Sequence, residues 1–204
     1  MNILKIKNLS FYYNEGQDIL NDVSFEVTSG ERLGIVGPSG FGKSTLAQII
    51  AGFEKQVKGE ILYNGRPIDE ITPYPVQLIY QHPEKAINPK WKLSKLEDEM
   101  DKKISSSHKK KLELKEEWFD RYPAELSGGE LQRFMVARAL TVDSKFIIAD
   151  EISTMLDALT QAKIWKFLLD DITKEKGLII ISHNQYLIDK LCTRVIDLEE
   201  LMNK

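Results

Sequence analysis

Cysteine is almost absent: Cys192 is the only one in 204 residues. A single thiol excludes an internal disulfide framework and a cysteine-rich metal site, and it favours a reducing compartment. No apolar run approaches the roughly 20 residues that a membrane-spanning helix needs, so any membrane role must come through a partner. A surplus of positive charge is missing too. The chain carries 28 Lys and Arg against 31 Asp and Glu, a net −3, so no broad basic field recruits nucleic acid. No segment repeats. The first residues, MNILKIKNLS, alternate polar and apolar, unlike a signal peptide. A cytoplasmic protein is the expectation. Its length suffices for one sizeable core with a small appended subdomain.

What is present is organised around three apolar runs: RLGIVG (32–37), KFIIAD (145–150) and LIIISH (178–183). Their apolar residues are consecutive rather than alternating, which suits strands buried on both faces in a parallel sheet covered by helices. Each run ends in glycine or polar residues. Ligands of open α/β sheets bind beyond the carboxyl ends of strands. Three segments are therefore expected at one edge: the loop after Val36, the pair Asp150–Glu151, and Ser182–His183. Helical patterns follow at 43–51 and 158–172, the latter with Ile164, Leu168 and Ile172 at four-residue intervals. NILKIK, VSFEV and GEILYNG read as a smaller antiparallel sheet. Residues 85–125 are rich in charge and read as a helical insertion. Within it, SSSHKKK is expected to be an exposed loop, with Lys109–Lys111 a solvated face and His82 and His108 at the surface.

The segment GPSGFGKST fits G-x-x-x-x-G-K-[ST] at Gly37, Gly42, Lys43 and Ser44, after a buried strand and before a helix. Its glycines, with Ser39 and Gly40 between them, let backbone N–H groups turn toward phosphate oxygens, and the helix end adds partial positive charge. Lys43 is expected to bridge the β- and γ-phosphates, the Ser44 hydroxyl to bind Mg²⁺, and Thr45 to contact the α-phosphate. Asp150, ending FIIADE, is the second Mg²⁺ anchor, acting through water because this ion keeps most of its waters. Glu151 stands next to it, placed to polarise a water attacking the γ-phosphate. His183 follows the third strand and can reach the γ-phosphate region.

A second glycine pair stands in ELSGGELQR (125–133). Ser127 and Glu130 fit an S-x-x-E capping box for a helix through LQRFMVARAL. A cap alone does not ask for Gly128 and Gly129. In the order phosphate loop, Gln81, LSGGE, FIIADE, TMLD, His183, the sequence resembles an ATP-binding-cassette (ABC) ATPase, over roughly residues 2–198.

That resemblance implies a single ABC ATPase domain, 1–204. Its core is α/β, of the P-loop NTPase type with a mainly parallel sheet. An N-terminal antiparallel β-subdomain and an inserted helical subdomain at about 85–135 carry the rest. It implies ATP and Mg²⁺ as cofactors. It gives Gln81 the sensing of γ-phosphate and Mg²⁺ and a hinge to the helical subdomain, and Tyr13, ahead of Tyr12, a stacking role against adenine. Asp157 joins the nucleotide site. Ser127, Gly128 and Gly129 close over the γ-phosphate held by a second ATPase subunit, in a homodimer or heterodimer.

The stretches IYQHPEKAINPKWKL and DRYPAELSGGELQR, with Gln81, Pro83, Asn88–Pro89 and Arg121–Tyr122–Pro123, resemble the ATPases of peptide and nickel importers. The implied partners are membrane permease subunits and an extracytoplasmic substrate-binding protein, with no nucleic acid. The implied place is the cytoplasmic face of the membrane. The chain departs from the family at Ile152, where proline is usual, and at Thr154-Met155-Leu156-Asp157, where Ser-Ala-Leu-Asp is usual. The helical insertion is short, and the usual C-terminal extension does not follow RVIDLEE. Two other readings fit less well: a soluble or regulatory cassette not coupled to transport, and a weakly active cassette paired with a better one.

Overall fold

Alternation writes the first sheet. In β1 (Ile3–Tyr12), Leu4 and Ile6 are buried between exposed neighbours, then Leu9 and Phe11 take over one step out of phase. The phase slips at Asn8, which adopts φ +49, and the pairing with β2 (Asp18–Thr28) shifts register at the same place. A bulge of this kind lets one strand change which residues face inward. The structure, a computed structural model, describes all residues except 15, 101, 155, 172–175 and 204.

Next along the chain come β3 (Arg32–Val36), α1 (Lys43–Ile50), β4 (Lys58–Tyr63), β5 (Arg66–Pro67) and β6 (Val76–Ile79). A helical stretch holds α2 (Leu93–Asp98), α3 (Ser106–Lys111) and α4 (Gly128–Ala139). The chain then runs through β7 (Phe146–Asp150), α5 (Ala158–Asp171), β8 (Gly177–Ile181), α6 (Gln185–Leu191), β9 (Arg194–Asp197) and α7 (Leu198–Met202). The antiparallel sheet has the order β2-β1-β4-β5, and the second sheet has the order β6-β7-β8-β3-β9. β7, β8, β3 and β9 are parallel neighbours. All five residues of β7 and all five of β8 are buried, as their unbroken apolar runs predict. In α5, Ile164 and Leu168 are buried, and Ile172 lies outside the described residues.

The chain forms two compact units from interleaved pieces: 1–78 with 144–150 and 172–204, and 79–143 with 151–171. The first holds both sheets apart from the last residue of β6. The second has its own core, with Trp118 and Phe134 fully buried and Phe119 packed edge-on to Phe134 at 5.9 Å.

One expectation is corrected in this second unit. SSSHKKK is not a loop but α3, whose cap Ser105 accepts a hydrogen bond from the His108 N–H at 3.1 Å. The helix turns its three lysines different ways. Lys110 and Lys111 stay exposed, while Lys109 pairs with buried Glu97 at 3.3 Å and lies 4.0 Å from the Phe119 ring. His108 is half-buried, packed on Phe167 at 5.3 Å, and His82 is half-buried beside Glu84. No helix among the described residues is long and apolar enough to cross a membrane.

Candidate functional site

Parallel register sets the site's first edge. Ile35 of β3 and Asp150 of β7 are both in register with Ile181 of β8. The glycine loop at 37–42, Asp150 and Ser182–His183 therefore leave the sheet at one edge, as the apolar runs predict. Asp150 is 5% exposed, at the end of a wholly buried strand. Ser182 accepts a hydrogen bond from the Asn184 N–H at 3.2 Å, and Asn184 in turn caps α6 through the Leu187 N–H. These bonds fix the turn that presents His183, which is exposed.

The glycine loop is shaped for close backbone approach. Gly42 has φ +85, and a Cβ there would lie 3.0 Å from the Ile19 carbonyl oxygen. No other residue type fits both constraints. Lys43 is 5% exposed, and its Nζ donates to the carbonyls of Gly37 at 2.8 Å and Pro38 at 2.7 Å. The ammonium thus spans the loop, where phosphate oxygens are its natural acceptors. α1 starts with Gly42 as N-cap, without a capping side chain and without an acidic residue in its first turn. A helix N-terminus built this way favours an anion through its partial positive charge. Ser39, Gly40 and Ser44 are exposed along this loop, and Thr45 is half-buried.

The donors suited to a hard cation are the Ser44 hydroxyl and the Asp150 carboxylate. Both are oxygens, the donor type that magnesium takes while keeping most of its waters. Among the described residues no group of three His, Cys, Asp or Glu could cage a metal ion. A site shared with phosphate fits that donor set, and a structural metal site does not. Tyr13 is 59% exposed and stands perpendicular to buried Phe11, with ring centroids 4.8 Å apart. An exposed aromatic ring braced on a buried one suits stacking against a planar base. Tyr12 is half-buried at the end of β1.

The second unit holds the remaining predicted residues. Ser127 caps α4, and the predicted capping box is formed: Ser127 Oγ accepts from the Glu130 N–H at 3.3 Å, and Glu130 accepts from the Ser127 N–H at 2.9 Å. A Cβ on Gly129 would touch Leu156 at 3.4 Å, whereas one on Gly128 would meet nothing within 4 Å among the described residues. Glu151 is buried and left-handed, with φ +48, and the hydroxyl and N–H of Thr154 both donate to its carbonyl. Ser153 is pinned by the Trp165 indole N–H at 3.0 Å and by Gln161 at 2.8 Å. Asp157 is exposed and acts as a cap: its carboxylate accepts from the N–H groups of Leu159 and Thr160 and from the Thr160 hydroxyl. Those Thr160 bonds hold the carboxyl below the usual aspartate range. Gln81 is half-buried directly after Tyr80, whose carbonyl accepts a bond from the buried Gln132 of α4 at 3.4 Å.

Sequence reasoning missed Gln132 and Arg133. Arg133 donates to the carbonyls of Gly129 and Leu112, lies 4.8 Å from the Trp118 ring, and pairs with Glu113 at 3.5 Å. Glu113 also binds Lys163 of α5 at 2.7 Å, so α4 and α5 share one carboxylate. A polar residue in an apolar-periodic helix was the available signal for Gln132. For Arg133 there was none, because Leu112, Glu113 and Trp118 are distant in sequence.

A buried strand, a glycine loop that spends its lysine on its own carbonyls, and an uncapped helix define an α/β nucleoside triphosphatase of the phosphate-loop class. The family model described as ABC transporter matches residues 20–154. The nickel import system ATP-binding protein NikE of Staphylococcus aureus is 32% identical over 98% of this chain and 88% of its own length. An ATP-binding cassette solved as a post-hydrolysis dimer with ADP and Pi superposes with a TM-score of 0.80 at 25% identity, over 95% of this chain and 93% of the other. A bacterial Atm1-family exporter with ATP bound gives 0.81 at 26% identity, covering 96% of this chain and 37% of its own. The chain belongs to the ABC transporter family as a cassette that binds and hydrolyses ATP.

Proposed function

We propose that this chain is the ATP-hydrolysing subunit of a membrane importer whose cargo is a nickel complex or a peptide. The observation that carries the cargo is the near full-length similarity to nickel import ATP-binding proteins. The Gln81–Pro89 and Arg121–Pro123 segments add to it. The subunit sits as one cassette domain on the cytoplasmic face of the membrane, docked on permease subunits, with an extracytoplasmic binding protein delivering cargo.

In this reading Gly37, Ser39, Gly40, Gly42, Lys43 and Thr45 hold the phosphates of ATP, and Tyr13 stacks on adenine. Ser44, Asp150 and Gln81 serve Mg²⁺, which when bound neutralises phosphate charge. Glu151 holds the attacking water as general base, and His183 hydrogen-bonds the γ-phosphate. Ser127, Gly128 and Gly129 belong to the site of a second cassette, either another copy of this chain or a different one. Gly128 supports that role: its backbone is not left-handed, and among the described residues no atom lies within 4 Å of where its Cβ would stand. Asp157 belongs to the nucleotide site, next to the start of α5 that its carboxylate caps.

The test is uptake. The chain is purified with its permease subunits, reconstituted in vesicles, and given binding protein loaded with a nickel complex or with a dipeptide. One cargo should accumulate inside only with ATP and should stimulate hydrolysis. ATPase activity that ignores both cargoes would overturn the importer reading.

A further inference from the structure

Two helices of this chain present their N-termini to phosphate in the proposed mechanism, and they are built differently. α1 has neither a capping side chain nor an acidic residue in its first turn. α4 has both, Ser127 and Glu130. One oxygen of Glu130, Oε2, accepts from the Ser127 N–H at 2.9 Å and from the Ser127 hydroxyl at 3.0 Å. The hydroxyl that is to meet a phosphate is therefore already given to a carboxylate of its own chain. Glu130 is anionic there. The Ser127 backbone N–H, against the effect of burial, holds its carboxyl below the usual range, helped by the Ser127 hydroxyl and the charges of Arg133 and Arg121. The open space at Gly128 leaves room for an incoming anion beside this carboxylate.

We infer that Glu130 is a built-in competitor for the second cassette's phosphate. In the separate chain its carboxylate holds both Ser127 donors; when the pair closes, it must surrender the hydroxyl. Two anions cannot share one hydroxyl donor, and like charges at short range repel. Glu130 is thus a positioning residue: it sets the ATP concentration at which two cassettes close, without touching the nucleotide held by its own phosphate loop. This role rests on the proposed use of Ser127 by a second cassette.

The experiment is a Mg·ATP titration of pairing, followed by light scattering. It uses the Glu151→Gln chain, alone and mixed with any second cassette of its transporter, with and without Glu130→Gln. Glutamine keeps a neutral acceptor at the capping position, so α4 should stay intact, which circular dichroism checks. The half-point for pairing should fall about tenfold, the scale of one charge-assisted hydrogen bond no longer in competition. Glu130→Ala, which has no acceptor, should lower it as well. The affinity of the unpaired chain for ATP should not move. Pairing at an unchanged half-point, or a matching shift in the unpaired chain's own affinity, would overturn the role of Glu130 alone. No ATP-dependent pairing in any preparation would overturn the shared-site reading, and this inference with it.

Discussion

At the scale of single residues, Glu151 is buried and has a left-handed backbone, with φ +48. A left-handed backbone costs a non-glycine residue about 1–3 kcal/mol, and such strain persists only where the surroundings enforce it. Here Thr154 grips the Glu151 carbonyl twice, Ser153 is clamped by Trp165 and Gln161, and Ile152 is 2% exposed. A proline at 152 is not needed to hold the loop, because buried packing and side-chain bonds do so. The Glu151 backbone is thus held in place by its own loop, a support that the proposed general-base role calls for. Glu151→Gln keeps the shape and removes the basic oxygen. Steady-state turnover should fall by about 10²–10⁴-fold while ATP affinity, read by equilibrium binding, stays the same. Near-normal turnover in that variant would take the role away from Glu151.

At the scale of elements, the turn between β2 and β3 is tied to β9 by charge. Glu31 accepts the Thr28 N–H at 2.9 Å and the Arg194 Nε at 2.6 Å, and Arg194 also donates to the Glu26 carbonyl. Burial alone would raise the Glu31 carboxyl; the Arg194 guanidinium and the Thr28 N–H outweigh it and hold the group below the usual glutamate range. A depressed carboxyl stabilises the fold above its unfolded pKa, and the contribution is lost as pH falls through the folded value. Arg194→Met should cost about 1 kcal/mol in urea unfolding near neutral pH, since the pair is partly exposed. The gap between variant and parent should shrink between about pH 5 and pH 3. A gap that stays constant over that range would mean that Arg194 acts through packing or its backbone bond and not through Glu31.

At the scale of the whole molecule, what could be read from the sequence was what local pattern determines. β7 and β8 announced themselves because each of their residues is buried, and the phosphate loop because its glycines, lysine and serine are contiguous. Lys109 could not be read, because its inward turn depends on Glu97 and Phe119 across the unit. Asp157 is assigned to the nucleotide by resemblance, and the contacts its carboxylate makes within the chain are local ones that cap α5. The signature at Ser127–Gly129 lies between these cases: its cap is local, and its proposed function needs a second molecule. In the proposed pairing, each of two sites is made from one phosphate loop and the opposite signature. Ser127→Arg fills the signature and leaves the same chain's phosphate loop intact, so ATP binding should survive and hydrolysis should vanish. Lys43→Ala does the reverse, damaging the loop and sparing the signature. In pairs of identical chains, mixing the two inactive variants rebuilds one sound site in every mixed pair. Random pairing with independent sites then restores about one quarter of parental activity, because half the pairs are mixed and each has one working site of two. Coupled-enzyme assays of the mixture against each variant alone measure this directly. Hydrolysis by Ser127→Arg on its own would show that each chain completes its own site.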